Sequence, residues 1–178
     1  NLSSVGGYLW ITNNAALTNL DGLANITSVG GDLYIYNNAA LTNLNGLANL
    51  SSVGGNLKIK DNTALTNLDG LANITSVGGY LYIDSNDALT NLDGLANLTS
   101  VGGDLYISFN YSASCEGVAP LLGWPNGPPD DTVTGDITIG INGPGCSSIA
   151  DILASVSGPT KPTITSVSAI GGGSISLE

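Results

Sequence analysis

A 24-residue repeat runs without a gap through the first part of the chain and constrains the fold more than any other feature. Four complete units cover 1–24, 25–48, 49–72 and 73–96, and a fifth begins at Asn97 and covers 97–110 before the period breaks. One unit of this length cannot bury its apolar side alone, whereas stacked units share a continuous core. The sequence therefore predicts a solenoid in which every repeat position forms a column.

The apolar positions inside one unit predict a strand followed by a tight return path. In the second unit, Leu33 and Ile35 alternate with polar and aromatic residues, which is typical of a short strand with one buried face. A glycine pair precedes this strand in every unit and permits a sharp bend. The apolar residues Leu41, Leu44 and Leu47 then recur at every third position, which fits a 3₁₀-like path.

Two polar columns are expected to have structural roles. The asparagines at position 14 of the unit are expected to point inward and to bond the backbone of the next coil; they are Asn14, Asn38, Asn62, Asn86 and Asn110. Acidic residues recur in the L-D-G turns as Asp21, Asp69 and Asp93. They are interpreted as Asx-type turn residues rather than as catalytic carboxylates.

The repeat pattern L-x-I-x-x-N-x-x-L-x-x-L resembles the leucine-rich repeat family. The added segments G-G-x-L-x-I and N-[LI]-[ST]-S-V are similar to the receptor L-domain variant of receptor ectodomains and microbial surface proteins. The resemblance implies a mainly β, right-handed leucine-rich-repeat or β-solenoid fold. The units lack a helix-forming convex segment, so a flatter coil is expected than in helical leucine-rich repeats. The resemblance does not specify a ligand, because this family binds many unrelated partners.

Residues 111–156 are expected to form a C-terminal cap that closes the solenoid core. The run Ser114–Gly123 predicts a short helical turn, and the alternating Gly135–Ile141 predicts another strand. Ser147 or Ser148 is expected to cap a short helix that follows. In microbial members of the family that the repeats resemble, a similar strand and a cysteine-containing helix close the array.

The chain has two cysteines, Cys115 and Cys146. A disulfide in an oxidising compartment is favoured over two buried free thiols, because the rest of the composition also looks extracellular. Such a bridge would staple the cap to the fifth repeat.

The residues after the cap are interpreted as a linker and a fragment of a further domain. The segment 157–162 contains two prolines and a glycine, which is typical of a linker. Residues 163–178 resemble the first strands of a fibronectin type III or immunoglobulin-like domain. The segment is too short to form a complete domain of this type. Alternatively, this tail is an assembly strand that pairs with a neighbouring subunit.

The charge of the chain excludes several classes of function. It has 14 acidic residues against 3 lysines, no histidine and a net charge of −11. Nucleic-acid binding is excluded because phosphates are held by basic residues, and no segment predicts direct membrane insertion. Without histidine, the usual acid–base and metal-binding group is missing, so we expect no enzyme activity, no cofactor and no metal site.

The outward positions of the repeat strand are the candidate binding site, because they vary while the core positions hardly change. Seven of the nine Trp and Tyr residues lie there, together with two lysines; the predicted ligand-binding residues are Tyr8, Trp10, Tyr34, Tyr36, Lys58, Lys60, Tyr80, Tyr82 and Tyr106. Aromatics with scattered polar groups mark recognition surfaces. The alternative is that these aromatics reflect β-propensity alone.

Six N-x-[ST] sequons are glycosylation sites if the source is eukaryotic and the side chains are exposed; they are Asn1, Asn25, Asn49, Asn73, Asn97 and Asn110. Their structural interpretation is that Asn and Ser or Thr satisfy backbone groups at a turn.

Taken together, the sequence predicts an extracellular or cell-surface module for recognition or adhesion, which binds a glycan or protein through the aromatic strand face. The alternative is a structural spacer or filament subunit that self-assembles through the C-terminal tail.

Overall fold

The structure is a computed structural model that describes residues 2–122, 132–155, 167–168 and 174–175. In chain order the strands are β1 (Ser4–Val5), β2 (Leu9–Thr12), β3 (Ser28–Val29), β4 (Leu33–Tyr36), β5 (Ser52–Val53), β6 (Leu57–Lys60), β7 (Ser76–Val77), β8 (Leu81–Asp84), β9 (Ser100–Val101), β10 (Leu105–Ser108), β11 (Ile137–Gly140), β12 (Val167–Ser168) and β13 (Ser174–Ile175). Short 3₁₀ helices span Asp21–Leu23, Asn45–Leu47, Asp69–Leu71, Asp93–Leu95 and Glu116–Val118, and α1 spans Ile149–Ser155. The fold is a β-solenoid, as the repeat predicts.

Every repeat adds one strand to each of two parallel sheets. The larger sheet has the order β11-β10-β8-β6-β4-β2, and the smaller one has the order β1-β3-β5-β7-β9. Pairing is in register with the 24-residue unit, so that Leu33 lies opposite Leu57 and Tyr34 lies opposite Lys58. Each repeat position is therefore a column through the stack, which confirms the expectation from the sequence.

Leucine, isoleucine and valine columns fill the core between the sheets and the 3₁₀ helices. Leu33, Ile35 and Leu44 have no exposed surface, and their equivalents in the next repeats are equally buried. The predicted 3₁₀-like return path is confirmed by Asn45–Leu47. Gly46 in that helix is required because an added Cβ would clash with the Leu20 carbonyl of the preceding coil. The coils thus approach too closely for any side chain at this column.

The predicted asparagine column forms a buried hydrogen-bond ladder. Asn62 has no exposed surface, and its Nδ2 donates to the Ile35 carbonyl at 2.9 Å. Its Oδ1 accepts from the backbone N–H of Asn38 at 3.2 Å. Asn142 of the cap continues the column, since its Oδ1 accepts from the Asn110 N–H at 3.1 Å. The ladder satisfies backbone groups that the turn after the strand would otherwise leave unpaired.

The residue before each ladder asparagine adopts a left-handed backbone conformation. This column has φ between 53° and 61° and consists of Asn13, Asn37, Asp61, Ser85, Phe109 and Ile141. Asn and Asp tolerate this conformation, whereas a β-branched residue such as Ile141 does not adopt it readily. The turn it produces aims the next side chain inward, so the ladder overrides local preference at the last two positions.

The interpretation of the L-D-G carboxylates as Asx-turn residues is wrong. The Asx-type bond is made by the asparagine two positions earlier, because Asn67 Oδ1 accepts from the Asp69 N–H at 3.1 Å. In the same way, Asn43 Oδ1 accepts from the Asn45 N–H, and Asn91 Oδ1 accepts from the Asp93 N–H. The acidic residues instead begin the 3₁₀ helices, where a negative charge is favoured by the positive end of the helix dipole.

The cap repeats the coil geometry once more and then ends it. The strand β11 pairs in parallel with β10, and Ser148 Oγ accepts from the Asp151 N–H at 3.1 Å, which caps α1. Cys115 and Cys146 form a disulfide with a Cα–Cα distance of 5.2 Å. Both sulfur-bearing residues are completely buried.

In the tail, β12 and β13 pair antiparallel, with Val167 opposite Ile175. The linker 157–162 and the other residues of 163–178 lie outside the described part of the chain. The assignment of this tail to an incomplete β domain or to an assembly strand stays a prediction.

Candidate ligand-binding face

The outward side chains of the larger sheet form one surface, here called the outer face. Strand alternation directs Leu9 and Ile11 inward, while Trp10 points out, and the register repeats this arrangement in each coil. The structure brings all nine predicted binding residues onto this surface. Tyr8 and Trp10 are 67% and 61% exposed, and the other seven are half-buried against one another.

Three aromatic residues form an N-terminal cluster at the β2 end of the outer face. The ring centroids of Tyr8 and Trp10 lie 5.9 Å apart. The rings of Trp10 and Tyr34 are stacked with centroids 5.7 Å apart and an interplanar angle of 6°. Stacked rings with exposed outer surfaces offer a large apolar contact area to a partner.

A second set, the C-terminal cluster, consists of Tyr80, Tyr82 and Tyr106. Tyr82 and Tyr106 stack at 4.4 Å with an interplanar angle of 4°, and Tyr80 meets Tyr82 edge to face at 6.5 Å. Burial in this cluster raises the pKa of Tyr82. The Tyr82 phenol therefore stays neutral further into the alkaline range than a free tyrosine.

A hydrogen bond joins the two clusters across the coil between them. The hydroxyl oxygens of Tyr34 and Tyr80 lie 2.7 Å apart, although the residues are two repeats from each other. Desolvation, and then this hydrogen bond, raises the pKa of Tyr80 above its ordinary range. The aromatic residues consequently form one continuous strip from β2 to β10.

The two lysines of the outer face have different environments. Lys60 Nζ forms an ion pair with Asp84 Oδ2 at 2.6 Å, and the hydrogen bond to Asp84 raises the pKa of Lys60. Lys58 Nζ lies 5.6 Å from the Tyr36 ring centroid and 5.3 Å from that of Tyr82. Lys60 is therefore committed to Asp84, whereas Lys58 contacts aromatic rings and remains the cation that the outer face can offer to a ligand.

A groove of about 440 Å³ crosses the C-terminal half of the outer face. It is lined by Lys58, Tyr80, Tyr82, Asp104, Leu105, Tyr106, Asp136 and Thr138. One side of the groove is the column just before the strands, and the other side is the aromatic column. Aromatic walls with a few polar groups are typical of small-molecule sites.

Sequence reasoning did not include Asp104, Asp136 or Thr138 among the binding residues. Asp136 and Thr138 belong to the cap, where the run GDITIG pairs in register with GDLYIS of the fifth repeat. Aligning those two runs places Thr138 in the column of Tyr106. The similarity of these two runs could have identified the three residues from the sequence, but the second run lies outside the 24-residue period.

The polar residues of the column before the strands also support the backbone. Asp32 Oδ1 accepts from the Asn56 N–H at 2.8 Å, and Asn56 Oδ1 accepts from the Tyr80 N–H at 2.9 Å. Asp104 makes the same contact with the Asp136 N–H at 2.9 Å. An amide and a carboxylate serve equally well in this role, so the charge of Asp104 is not required for the fold.

The sequons differ in accessibility. Asn25, Asn49, Asn73 and Asn97 are exposed, and Asn73 Nδ2 donates to the Ala48 carbonyl at 2.7 Å. Asn110 is completely buried in the asparagine ladder, which argues against its prediction as a glycosylation site. Asn1 lies outside the described residues. Glycosylation of the four exposed asparagines stays a prediction.

Within residues 2–122 and 132–155, no three Asp, Glu or Cys side chains stand together as a metal-binding group. No helix in the described part of the chain is both long and apolar enough to cross a membrane.

Comparison with known families accounts for this architecture. The receptor L domain family model matches residues 1–69 and 51–116. The chain belongs to the receptor L domain family. Receptor L domains are non-enzymatic repeat domains that bind ligands, and both the family and the disulfide are typical of extracellular or surface proteins. A search of curated proteins and a search of solved structures each gave no match.

Proposed function

We propose that this receptor L domain is an extracellular recognition and adhesion module that binds its partner through the outer face. The observation that supports this proposal is the continuous aromatic strip from Trp10 to Tyr106, which lies on a single surface of the solenoid. Tyr and Trp contribute much of the free energy of protein recognition because they bury a large area with little loss of conformational freedom.

The strip contributes little to the core. Trp10 is 61% exposed, whereas Ile35 and Leu57 beneath the sheet have no exposed surface. Intrinsic β-propensity would favour aromatics at strand positions in general. It does not require the rings of neighbouring coils to stack in parallel or two tyrosine hydroxyls to meet across a coil, and these contacts make the strip a preorganised surface.

The experiment compares two fourfold variants. In the first, Trp10, Tyr34, Tyr82 and Tyr106 are all replaced by serine. In the control, the exposed residues that directly follow the first four 3₁₀ helices are replaced by serine; they are Ala24, Ala48, Ala72 and Ala96. Both variants are expected to unfold cooperatively, since no buried side chain is removed. Attachment to whole cells and to arrays of glycans and proteins is expected to be lost in the first variant alone.

The alternative function, a structural spacer or filament subunit, predicts another outcome. A first variant that attaches as the wild type does but no longer forms filaments or larger particles overturns the recognition proposal in favour of assembly. If the fourfold variant does not fold, the double variant Trp10→Ser with Tyr106→Ser replaces it and is read in the same way.

A further inference from the structure

We propose that the groove binds a neutral oligosaccharide, with the Tyr106 ring packing on a pyranose and the Asp104 and Asp136 carboxylates accepting hydrogen bonds from its hydroxyls. The inference rests on the proposed function, because it names the ligand class for one part of the outer face.

The groove has the length of a short oligosaccharide. Its lining residues come from four adjacent strands, β6, β8, β10 and β11, or from the positions just before them. Three strand spacings of about 4.8 Å give a length of about 14 Å. The groove runs across the strands between two rows of side chains, with Leu105 at its base.

One ring face of Tyr106 is left open by the cap. Tyr82 stacks on one side of this ring at 4.4 Å. On the other side of the ring lies Thr138, which pairs with Tyr106 in the register of β10 and β11. The preceding coils have an aromatic residue or a lysine at this position of the column. A small side chain at this position ends the stack and leaves space beside the ring. The apolar C–H face of a pyranose has the shape and polarity to fill that space.

The polar groups of the groove match sugar hydroxyls. A hydroxyl donates one hydrogen bond and accepts others, so it needs both kinds of partner. Asp104 and Asp136 are exposed carboxylates that accept, and Lys58 donates from the far end. Asp104 is oriented by the bond from the Asp136 N–H to its Oδ1, which fixes the carboxylate before a ligand arrives.

The charge and the direction of the groove favour a neutral sugar over other ligands. Two carboxylates and one ammonium group give the lining a net negative charge, which repels acidic sugars. A peptide that adds a strand needs an unpaired sheet edge. The groove instead runs across β6, β8 and β10, whose backbones are paired on both sides, and reaches the sheet edge at β11, where an added strand would lie parallel to β11 rather than along the groove.

The test uses the full chain on an array of neutral hexose and N-acetylhexosamine oligosaccharides printed beside sialylated and sulfated ones. Thr138→Trp continues the aromatic column and fills the groove, whereas Thr138→Ala keeps it open. The strongest neutral binder of the array is then titrated by calorimetry. Thr138→Trp is expected to weaken its affinity at least about tenfold, and Thr138→Ala less than about threefold. Asp104→Asn keeps the backbone contact that Asn56 makes and is expected to weaken binding severalfold.

The outcomes separate this inference from the proposed function. Binding of neutral oligosaccharides that Thr138→Trp abolishes supports both. Binding of a protein or of acidic glycans that depends on Trp10 and Tyr82, with no neutral sugar bound, overturns the oligosaccharide inference and leaves the recognition function standing. Neutral binding that is unchanged in Thr138→Trp also overturns the inference, since the sugar then lies outside the groove. An absence of any partner for the wild-type chain overturns both.

Discussion

Replacing Asn62 with alanine tests whether the asparagine ladder holds the coils together. The substitution removes the acceptor of the Asn38 N–H and the donor to the Ile35 carbonyl, both in the interior. An unpaired buried N–H costs about 1 to 3 kcal/mol, and a lost hydrogen bond adds about 1 kcal/mol. We therefore expect Asn62→Ala to lower the free energy of unfolding by about 2 to 4 kcal/mol.

The assay is urea denaturation followed by circular dichroism, with Asn14→Ala as the matched control. Asn14 belongs to the same column but is exposed at the open end of the stack, and its side chain bonds the Thr12 carbonyl and the next asparagine. The control is expected to lose less than about 1 kcal/mol, because water replaces its contacts. Equal midpoints for Asn62→Ala and the wild type would refute a structural ladder.

Three other properties follow from the structure. Non-reducing mass mapping should find Cys115 bridged to Cys146, and Cys115→Ser should lower the free energy of unfolding by about 3 to 4 kcal/mol, because a long loop is no longer closed. Gly70→Ala should destabilise by about 1 to 3 kcal/mol, since its Cβ meets a carbonyl of the preceding coil, whereas Gly22→Ala, with open space, should be neutral or slightly stabilising. The pKa of Tyr80 is higher in the folded chain than in the unfolded one, so stability measured by urea denaturation should be constant below about pH 10 and fall above it.

The repeat made the fold predictable because stacking gives every position the same environment in each coil. The strand at Leu33, the 3₁₀ turn at Leu47 and the buried Asn62 all follow from one rule, that equivalent residues pair in register. A solenoid contact spans one period, so the sequence already contains its partners. The cap was less predictable, since Asn142 and Thr138 continue the columns at a different spacing.

The outer face could be located from the sequence, but its internal contacts could not. Alternation places Tyr34, Lys60 and Tyr80 on one surface. Periodicity does not determine side-chain rotamers. The hydrogen bond between the Tyr34 and Tyr80 hydroxyls and the ion pair of Lys60 with Asp84 both depend on them. The role of Asp104 in the groove could not be predicted either, because the same side chain also accepts a backbone hydrogen bond, which alone explains a polar residue at this position.

The most direct test of binding through the outer face is the tyrosine-ring carbon–proton NMR spectrum of the chain during titration with the ligand that attaches most strongly. Six of the seven tyrosines lie on the outer face, and Tyr111, 58% exposed in the cap, is an internal control for nonspecific effects. We predict saturable shifts of the Tyr82 and Tyr106 ring signals with no change at Tyr111. Shifts confined to Tyr111, or no ring shift at saturating ligand, would contradict the account.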